Sequence, residues 1–329
     1  SGEGMKRAAY WIVAILVLVG LQLQVSNWIG PYYYTIVILA GIYIILAVSL
    51  NLINGITGQF SIGHAGFYAI GAYTSATLVT YGESSIRGMV AFLPRLGQDA
   101  VLLLMGIAVA AIAAGIAGLA VGIPSLRLRG DYLAIVTLGF GEIIRVVILN
   151  VEAIGGARGF SNIPPMSDFF LFWVFLFVLI TVSVISNLVN SSYGRAFVSI
   201  RDDEVAAEAM GVDTTRFKVL SFVISSMFAG IAGSLFAHHT AYLNPNSFTF
   251  ITSFYLIIMI VVGGLGSIHG SILGAILITV GLEVFRRLSE YRLVGFSILL
   301  VLVMLYRPQG LMGVWNLLRF KRRTAVAKS

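Results

Sequence analysis

The sequence predicts an all-α membrane protein, a polytopic helical bundle with about ten transmembrane helices. Hydrophobic residues make up 58% of the 329 residues and charged residues only 11%, whereas soluble domains carry roughly 25% charged residues. The apolar runs are long and continuous, which favours helices over transmembrane strands that alternate over about 10 residues. A bilayer needs about 20 apolar residues for each spanning helix, and the chain has room for several.

Ten hydrophobic segments follow one another along the chain and define the predicted spans. Most of them reach the length that a bilayer demands. The third segment and the last two are short or glycine-rich, so each of these is open to being broken or re-entrant. The segments lie near residues 8–25, 35–53, 62–80, 100–123, 132–150, 169–190, 217–238, 249–264, 270–285 and 293–306.

The positions of Lys and Arg in the short loops predict that both termini lie inside the membrane-bounded compartment. With Lys6 and Arg7 inside, the basic loops near 127–129 and 195–218 fall on the same side. The cluster at 286–292 falls outside and opposes this orientation. The basic tail after residue 318 would rest on anionic headgroups.

Two glycine-rich segments resemble each other and suggest an internal repeat. Gly58–Gly66 reads GQFSIGHAG and Gly264–Gly270 reads GLGSIHG. Transporters often contain structural repeats whose glycine-interrupted helices meet near the substrate path. The alternative is a chance match in a chain with 36 glycines. The predicted orientation makes the two segments parallel.

A dense cluster of charge lies between the sixth and seventh predicted spans. Tyr193–Gly211 reads YGRAFVSIRDDEVAAEAMG. Acidic residues favour the start of a helix and glycine favours the position after its end, which predicts a short helix over Asp203–Met210. Such a short helix is marginal in water, so it is expected to dock on a partner. The alternative is a solvated connector helix.

Several kinds of chemistry are excluded by the residues that the sequence lacks. It has no cysteine, so it forms no disulfide or thiolate. None of its lysines follows a glycine, so it contains no P-loop for ATP. Its histidines do not have a zinc-binding spacing. The net charge of +7 comes from cations that flank helices and does not indicate nucleic-acid binding.

The run GRAFVSIRDDEVAAEAMGV at 194–212 resembles the cytoplasmic coupling loop of ABC importer permeases, in particular the branched-chain amino acid permease family of the LivM type. The resemblance extends over most of residues 35–313. One departure concerns the general importer motif, Glu-Ala-Ala followed three residues later by Gly. Counting back from Gly211 puts Ala206 and Ala207 in register but Val205 where Glu belongs, with Glu204 one position early. The other similar segments are Asn51–Tyr73, Pro124–Gly139, Gly263–Gly274 and Arg307–Gly313.

The resemblance implies a transport subunit that is not itself an enzyme. Its coupling loop, 193–216, would sit in a groove of a separate ATPase that binds ATP and Mg²⁺, and the chain itself would bind no cofactor or metal. The residues implied in this coupling are Arg201, Asp202, Asp203, Glu204, Ala206, Ala207, Glu208, Ala209 and Gly211.

The resemblance also implies an assembly in the cytoplasmic (inner) membrane of a bacterium, with both termini in the cytoplasm. The partners would be a second homologous permease, two ATP-binding cassette ATPase subunits and an extracytoplasmic solute-binding protein. Leu, Ile and Val would cross between the two permeases by alternating access. One permease domain would occupy 5–318 and a basic tail 319–329, after a segment at 1–4 that resembles an expression scar.

Two groups of polar residues are candidates for the substrate path. Gln59, Ser61 and His64 lie among glycines in a hydrophobic region, where irregular backbone is tolerated beside a water-filled cavity. The alternative is close helix packing through the glycines. Glu142 and Arg145 lie three residues apart on one predicted helix face, and charges inside a membrane indicate function by default. The favoured alternative is an ion pair that satisfies itself and faces a partner subunit or the membrane interface.

Three rival functions stay open. The same family also carries urea and other amino acids or amides. A secondary transporter usually needs intramembrane carboxylates for ion coupling, for which only Glu142 and Glu283 qualify. A passive channel would not need the charged loop, and its flux would survive mutation of that loop.

Overall fold

The computed structural model describes residues 20, 30–125, 131–164, 169–285, 297, 301, 305 and 310. Within these residues the backbone is helical, and the only strand-like pairing is one bridge between Phe160 and Leu243. The predicted all-α class is therefore confirmed. The predicted domain limits at 4/5 and 318/319 lie outside the described residues, as do nearly all of the predicted spans near 8–25 and 293–306.

Ten α-helices occur in the described part of the chain. They are α1 Pro31–Asn51, α2 His64–Met89, α3 Arg95–Ser125, α4 Asp131–Asn150, α5 Phe170–Val189, α6 Ser192–Asp202, α7 Glu204–Ala209, α8 Thr214–Thr240, α9 Phe250–Gly263 and α10 Ile268–Val284. A π-helical turn, Leu52–Ile56, continues α1, and short 3-10 turns occur at Glu152–Ile154, Gly156–Arg158 and Pro245–Phe248.

Five of the described helical stretches are long and apolar enough to cross a membrane, judged by length and composition. They are Pro31–Ile56, Arg95–Pro124, Tyr132–Asn150, Phe170–Val189 and Thr214–Thr240. Helix α2 has 26 residues but a more polar sequence. Helices α9 and α10 have 14 and 17 residues, which at about 1.5 Å per residue is shorter than a bilayer core of about 30 Å.

The long helices alternate in direction between two ends of the bundle. We call the end that carries α6 and α7 the loop end. The other end, the opposite end, carries residues 151–163 and 241–249. There, the backbones of Phe160 and Leu243 pair at 2.9 Å, and the Tyr81 hydroxyl donates to the Ala153 carbonyl at 2.9 Å.

The third and ninth hydrophobic segments form continuous helices. Helix α2 extends well beyond the predicted segment at 62–80 because Arg87, near its end, pairs with Glu83 and Asp99 at 2.9 and 2.8 Å. The irregular backbone lies before it, at residues 57–63. Helix α10 follows α9 directly after the tight turn at 264–267, so α9 and α10 form a hairpin.

Small residues bring the central helices α2, α3 and α8 into close contact. A Cβ atom added to Gly71 of α2 would lie 2.3 Å from the Gly230 backbone of α8, and one added to Gly118 of α3 would lie 2.0 Å from the Ser226 hydroxyl. Such residues let helix backbones approach closely where lipid offers no hydrophobic drive. The centre of the bundle is therefore tightly packed in the described residues.

Candidate functional site

The charged loop at the loop end folds into two helices with different orientations. The predicted short helix is confirmed as α7, because Asp203 caps its start by accepting hydrogen bonds from Val205 N at 2.9 Å and Ala206 N at 3.0 Å. Gly211 lies beyond its end with φ of 85°, a conformation that favours glycine. The preceding helix, α6, was not predicted.

Helix α7 is fastened to the first turns of α8 through its two glutamates. Glu204 pairs with Lys218, whose side chain is only 8% exposed. Glu208 accepts a hydrogen bond from the Thr214 hydroxyl at 2.8 Å. Ion pairs with a buried partner are costly to break from one side. These acids therefore hold α7 to the buried residues Lys218 and Thr214 of α8, although Glu208 itself is exposed.

The outward face of α7 is apolar and exposed. Val205 and Met210 are 62% and 84% exposed, and the small residues Ala206 and Ala209 lie on the same surface. Exposed apolar patches with polar surroundings mark interaction sites. The sequence interpretation named the two alanines but missed Val205 and Met210. Of the other predicted coupling residues, Ala207 is buried, whereas Asp202 and Asp203 are exposed.

Helix α6 is attached to the bundle by aromatic packing. Phe197 is fully buried with Leu52 and Ile56 of the π-turn, in a small hydrophobic cluster separate from the main core. Its ring packs edge-on against Phe217 of α8, with centroids 5.9 Å apart. A fully buried aromatic side chain contributes a large share of local packing energy. Helix α6 is therefore packed against both the π-turn and α8.

The polar residues between α1 and α2 organise the irregular backbone there. The Asn54 side chain donates to the Ser61 carbonyl at 3.1 Å and accepts from Ser61 N at 3.2 Å. The Gln59 amide donates to the Ser221 hydroxyl at 3.4 Å, and His64 Nε2 lies 3.0 Å from the Ser49 hydroxyl. Buried polar groups need such partners.

The predicted path residues Gln59, Ser61 and His64 therefore all lie inside the chain, each less than 10% exposed. In this conformation the Gln59 and His64 side chains bond to their own bundle, whereas Ser61 bonds through its backbone and its buried hydroxyl has no hydrogen-bond partner among the described residues. Their role in a substrate path stays a prediction.

Glu142 and Arg145 form the predicted ion pair on α4, at 3.0 Å. Glu142 also accepts from Phe250 N at 3.2 Å, and Arg145 donates to the Asn246 side chain at 3.1 Å. The carboxylate thus lies at the start of α9, where negative charge is favoured. The pair joins α4 to the loop before α9, towards the opposite end.

An apolar groove of about 710 Å³ lies between α2, α3 and α4. Tyr73, Val109 and Ile148 are among its lining residues. The groove and the ion pair lie on roughly opposite faces of α4, because Phe140 and Val147 of the groove lie about 140–160° around the helix from Glu142 and Arg145. The two features therefore do not combine into one site for a charged molecule with an apolar side chain.

These features define a class: a multi-pass helical membrane protein that carries a short helix with an exposed apolar face at one end of its bundle. The chain belongs to the family described as "Branched-chain amino acid transport system / permease component", whose model matches residues 32–306. The resemblance read from the charged loop is therefore confirmed. No solved structure matches the chain.

Relatives from bacteria and an archaeon cover most of the chain. It is 37% identical to the "High-affinity branched-chain amino acid transport system permease protein LivM" of Escherichia coli (strain K12), over 95% of this chain and 76% of that protein. It is 26% identical to the "Probable branched-chain amino acid transport permease protein LivM" of Methanocaldococcus jannaschii, over 82% of this chain and 90% of that protein. The chain is also 26% identical to the "High-affinity branched-chain amino acid transport system permease protein LivH" of Salmonella typhimurium, over 84% of this chain and 93% of that protein.

Proposed function

We propose that this chain is the transmembrane permease subunit of an ATP-driven importer for the branched-chain amino acids Leu, Ile and Val. The observation that carries the proposal is the exposed apolar face of α7, presented at one end of a membrane bundle and held there by the bonds of Glu204 and Glu208 to α8. A passive channel needs no ATPase partner and therefore does not require an exposed apolar face for docking one. The family match over residues 32–306 supports the same role.

The face formed by Val205, Ala206, Ala209 and Met210 would dock in a groove of an ATPase subunit. ATP and Mg²⁺ would bind to that subunit, and its closure would displace α6 and α7. The complete importer would hold this chain, a homologous second permease, two ATPase subunits and a solute-binding protein. Buried apolar anchors at the centre of an interface carry most of its binding energy, so Val205 and Met210 are the expected anchors.

With this function, the loop end would face the cytoplasm and the opposite end would face the extracytoplasmic side of the membrane. The solute-binding protein would then deliver substrate to the end formed by residues 151–163 and 241–249. Apolar pockets separate side chains that differ by one methylene by only about 1–3 kcal/mol. Much of the selectivity among Leu, Ile and Val would therefore lie in the binding protein.

The substrate would cross between the two permeases. Gln59, Ser61 and His64 would meet it only after the break between α1 and α2 rearranges, since all three are buried inside the bundle in this conformation. Glu142 and Arg145 are more exposed and lie towards the opposite end, which suits a contact with the charged groups of an amino acid early in passage.

The test is the reconstituted importer carrying Ala209→Trp in this chain. The added ring would obstruct docking of α7, so leucine uptake is expected to fall by about tenfold or more, the effect of losing an interface anchor. ATP hydrolysis would no longer respond to the loaded binding protein. Gly211→Trp is a poorer probe, because its positive φ makes any side chain strained.

Ile116→Trp supplies the matched control. Ile116 is 63% exposed on the apolar surface of α3, far from α7, so it tests the effect of a bulky ring on insertion and assembly alone. Normal, ATP-dependent uptake in Ala209→Trp would overturn the coupling role of α7. ATP-independent leucine flux in both variants would favour the passive channel instead.

A further inference from the structure

Arg201 lies at the junction of three elements that are far apart in sequence. It stands near the end of α6, and its guanidinium Nε and Nη2 donate to Asp202 Oδ1 at 3.0 and 2.9 Å. Its Nη1 extends inward and donates to the Gly55 carbonyl of the π-turn at 3.5 Å. The sequence interpretation gave Arg201 to the ATPase interface, whereas much of its side chain contacts its own bundle.

The aliphatic part of Arg201 packs directly on Gly58. A Cβ atom on Gly58 would lie 2.6 Å from Arg201 Cγ and 3.0 Å from Arg201 Cα. Gly58 also has φ of 74°, which other residues rarely adopt. The backbone after the π-turn therefore approaches α6 as closely as a glycine permits.

The turn between α9 and α10 meets the same point. A Cβ atom on Gly55 would lie 2.3 Å from Gly266 N, and one on Gly266 would lie 3.5 Å from Arg201 Nη1. The amide of Gly266 donates to the Asn51 side chain at 2.9 Å. The π-turn that precedes the first glycine-rich segment is thus in contact with Gly266 of the second, and Arg201 lies beside Gly58 of the first segment and Gly266 of the second.

The π-turn is the element through which a displacement of α6 would reach the bundle. π-Helical turns are rare and are frequently found at functional sites. Here the turn is held to α6 twice, by Phe197 packing on Leu52 and Ile56 and by Arg201 on Gly55 and Gly58. Of these two attachments, the one through Arg201 also lies beside Gly266 of the α9–α10 turn, whereas the Phe197 cluster does not include that turn.

We propose that Arg201 is a positioning residue that holds α6 against both glycine turns, so that a displacement of the charged loop moves the end of α1 and the α9–α10 turn together. The inference rests on the proposed function and adds a route from the ATPase to the helices of the bundle. Rigid elements in contact are the physical means by which such coupling travels.

The first test measures leucine transported per ATP hydrolysed, in proteoliposomes holding the complete importer. Arg201→Ala is expected to lower this ratio about tenfold, the effect of losing a hydrogen-bonded charged group, while the ATPase rate stays within about twofold. Arg201→Lys should give an intermediate ratio of leucine to ATP. Its ammonium group keeps the positive charge but lacks the planar guanidinium that donates to Asp202 and Gly55 at once.

Arg195→Ala is the matched control. Arg195 is an exposed arginine of the same helix whose guanidinium donates to the Ser192 hydroxyl at 2.8 Å, so the variant removes an equal charge without touching either turn. Its ratio of leucine to ATP is expected to stay within about twofold of the parent.

The second test uses the absence of cysteine in this chain. Spin labels at Tyr193→Cys on α6 and Leu265→Cys in the α9–α10 turn occupy exposed positions, 46% and 55%. In the parent importer their distance distribution should be the same with and without ATP. With Arg201→Ala added, the distance distribution between the labels should broaden or shift when ATP binds. A general loss of stability would change the distribution with or without ATP, so a change that requires ATP indicates lost positioning.

The outcomes separate the inference from the function on which it rests. If Ala209→Trp uncouples transport but Arg201→Ala matches Arg195→Ala in both tests, the positioning role is overturned and the importer stands. If Ala209→Trp couples normally, the proposed function fails and the inference fails with it. A lowered ratio in Arg201→Ala with an ATP-dependent label distance supports both.

Discussion

The two helices of the charged loop, α6 and α7, differ in what holds them and in what they present. Helix α6 is fixed by a fully buried aromatic ring and by Arg201 against two glycine turns. Helix α7 is fixed by an ion pair and a hydrogen bond at its glutamates, and it presents Val205 and Met210 to the surroundings. One short charged segment thus has an inward half that contacts the bundle and an outward half that is free to contact a partner.

The largest expected effect comes from removing the aromatic anchor of α6. Phe197→Ala deletes a fully buried ring, and such truncations cost about 3–5 kcal/mol. We expect a clear drop in thermal stability of the purified protein and rapid proteolysis within residues 190–213. Tyr193→Ala removes a ring that is 46% exposed on the same helix and should cost much less. Equal losses in the two variants would contradict the assignment of Phe197 as the anchor.

The second effect tests the anchor of α7. Lys218→Met leaves Glu204 without its buried partner, and breaking such a pair from one side costs up to about 3–5 kcal/mol, less here because the Glu204 side chain is 24% exposed. The double variant Glu204→Gln with Lys218→Met should recover part of the loss. Thermal unfolding of the singles and the double measures their coupling. Strict additivity would show that the pair does not hold α7.

The third effect compares two glycines with similar backbone conformations. Gly58 has φ of 74° and Gly211 has φ of 85°, so a side chain strains both by about 1–3 kcal/mol. Only Gly58 also abuts another residue, Arg201, whereas a Cβ atom on Gly211 meets nothing within 4 Å. Gly58→Ala should therefore destabilise the protein more than Gly211→Ala. Equal melting temperatures would remove the evidence for close packing at Gly58.

The smallest effect on stability should come from the outward face of α7. Met210 is 84% exposed, so Met210→Ser is expected to change the free energy of unfolding by less than about 0.5 kcal/mol. Coupling should nevertheless weaken, because an interface anchor is lost. Unfolding and leucine uptake measured on one preparation give the contrast. A large loss of stability with normal uptake would reverse the roles assigned to the two faces.

The helices of the bundle were largely predictable because hydropathy acts locally. The segments from 35–53 to 270–285 each coincide with one helix, and the capped start at Asp203 and the glycine end at Gly211 follow from short-range hydrogen bonding. The predicted third segment ends near residue 80, short of the end of α2 at Met89, because hydropathy falls where Glu83 and Arg87 bring charge into the sequence. Their pairing with each other and with Asp99 keeps the helix intact.

Sequence alone determined that this chain is a multi-pass helical permease with a charged loop between two of its spans, because apolar length, the placement of charge and short motifs are properties of neighbouring residues. The tertiary structure alone decided which face of that loop is free. It bonded Glu204 and Glu208 to Lys218 and Thr214 of α8, exposed Val205 and Met210, and buried Gln59, Ser61 and His64. It also brought Arg201 to Gly55, Gly58 and Gly266. Contacts between residues so distant in sequence depend on how the helices pack, and local pattern carries no record of that packing.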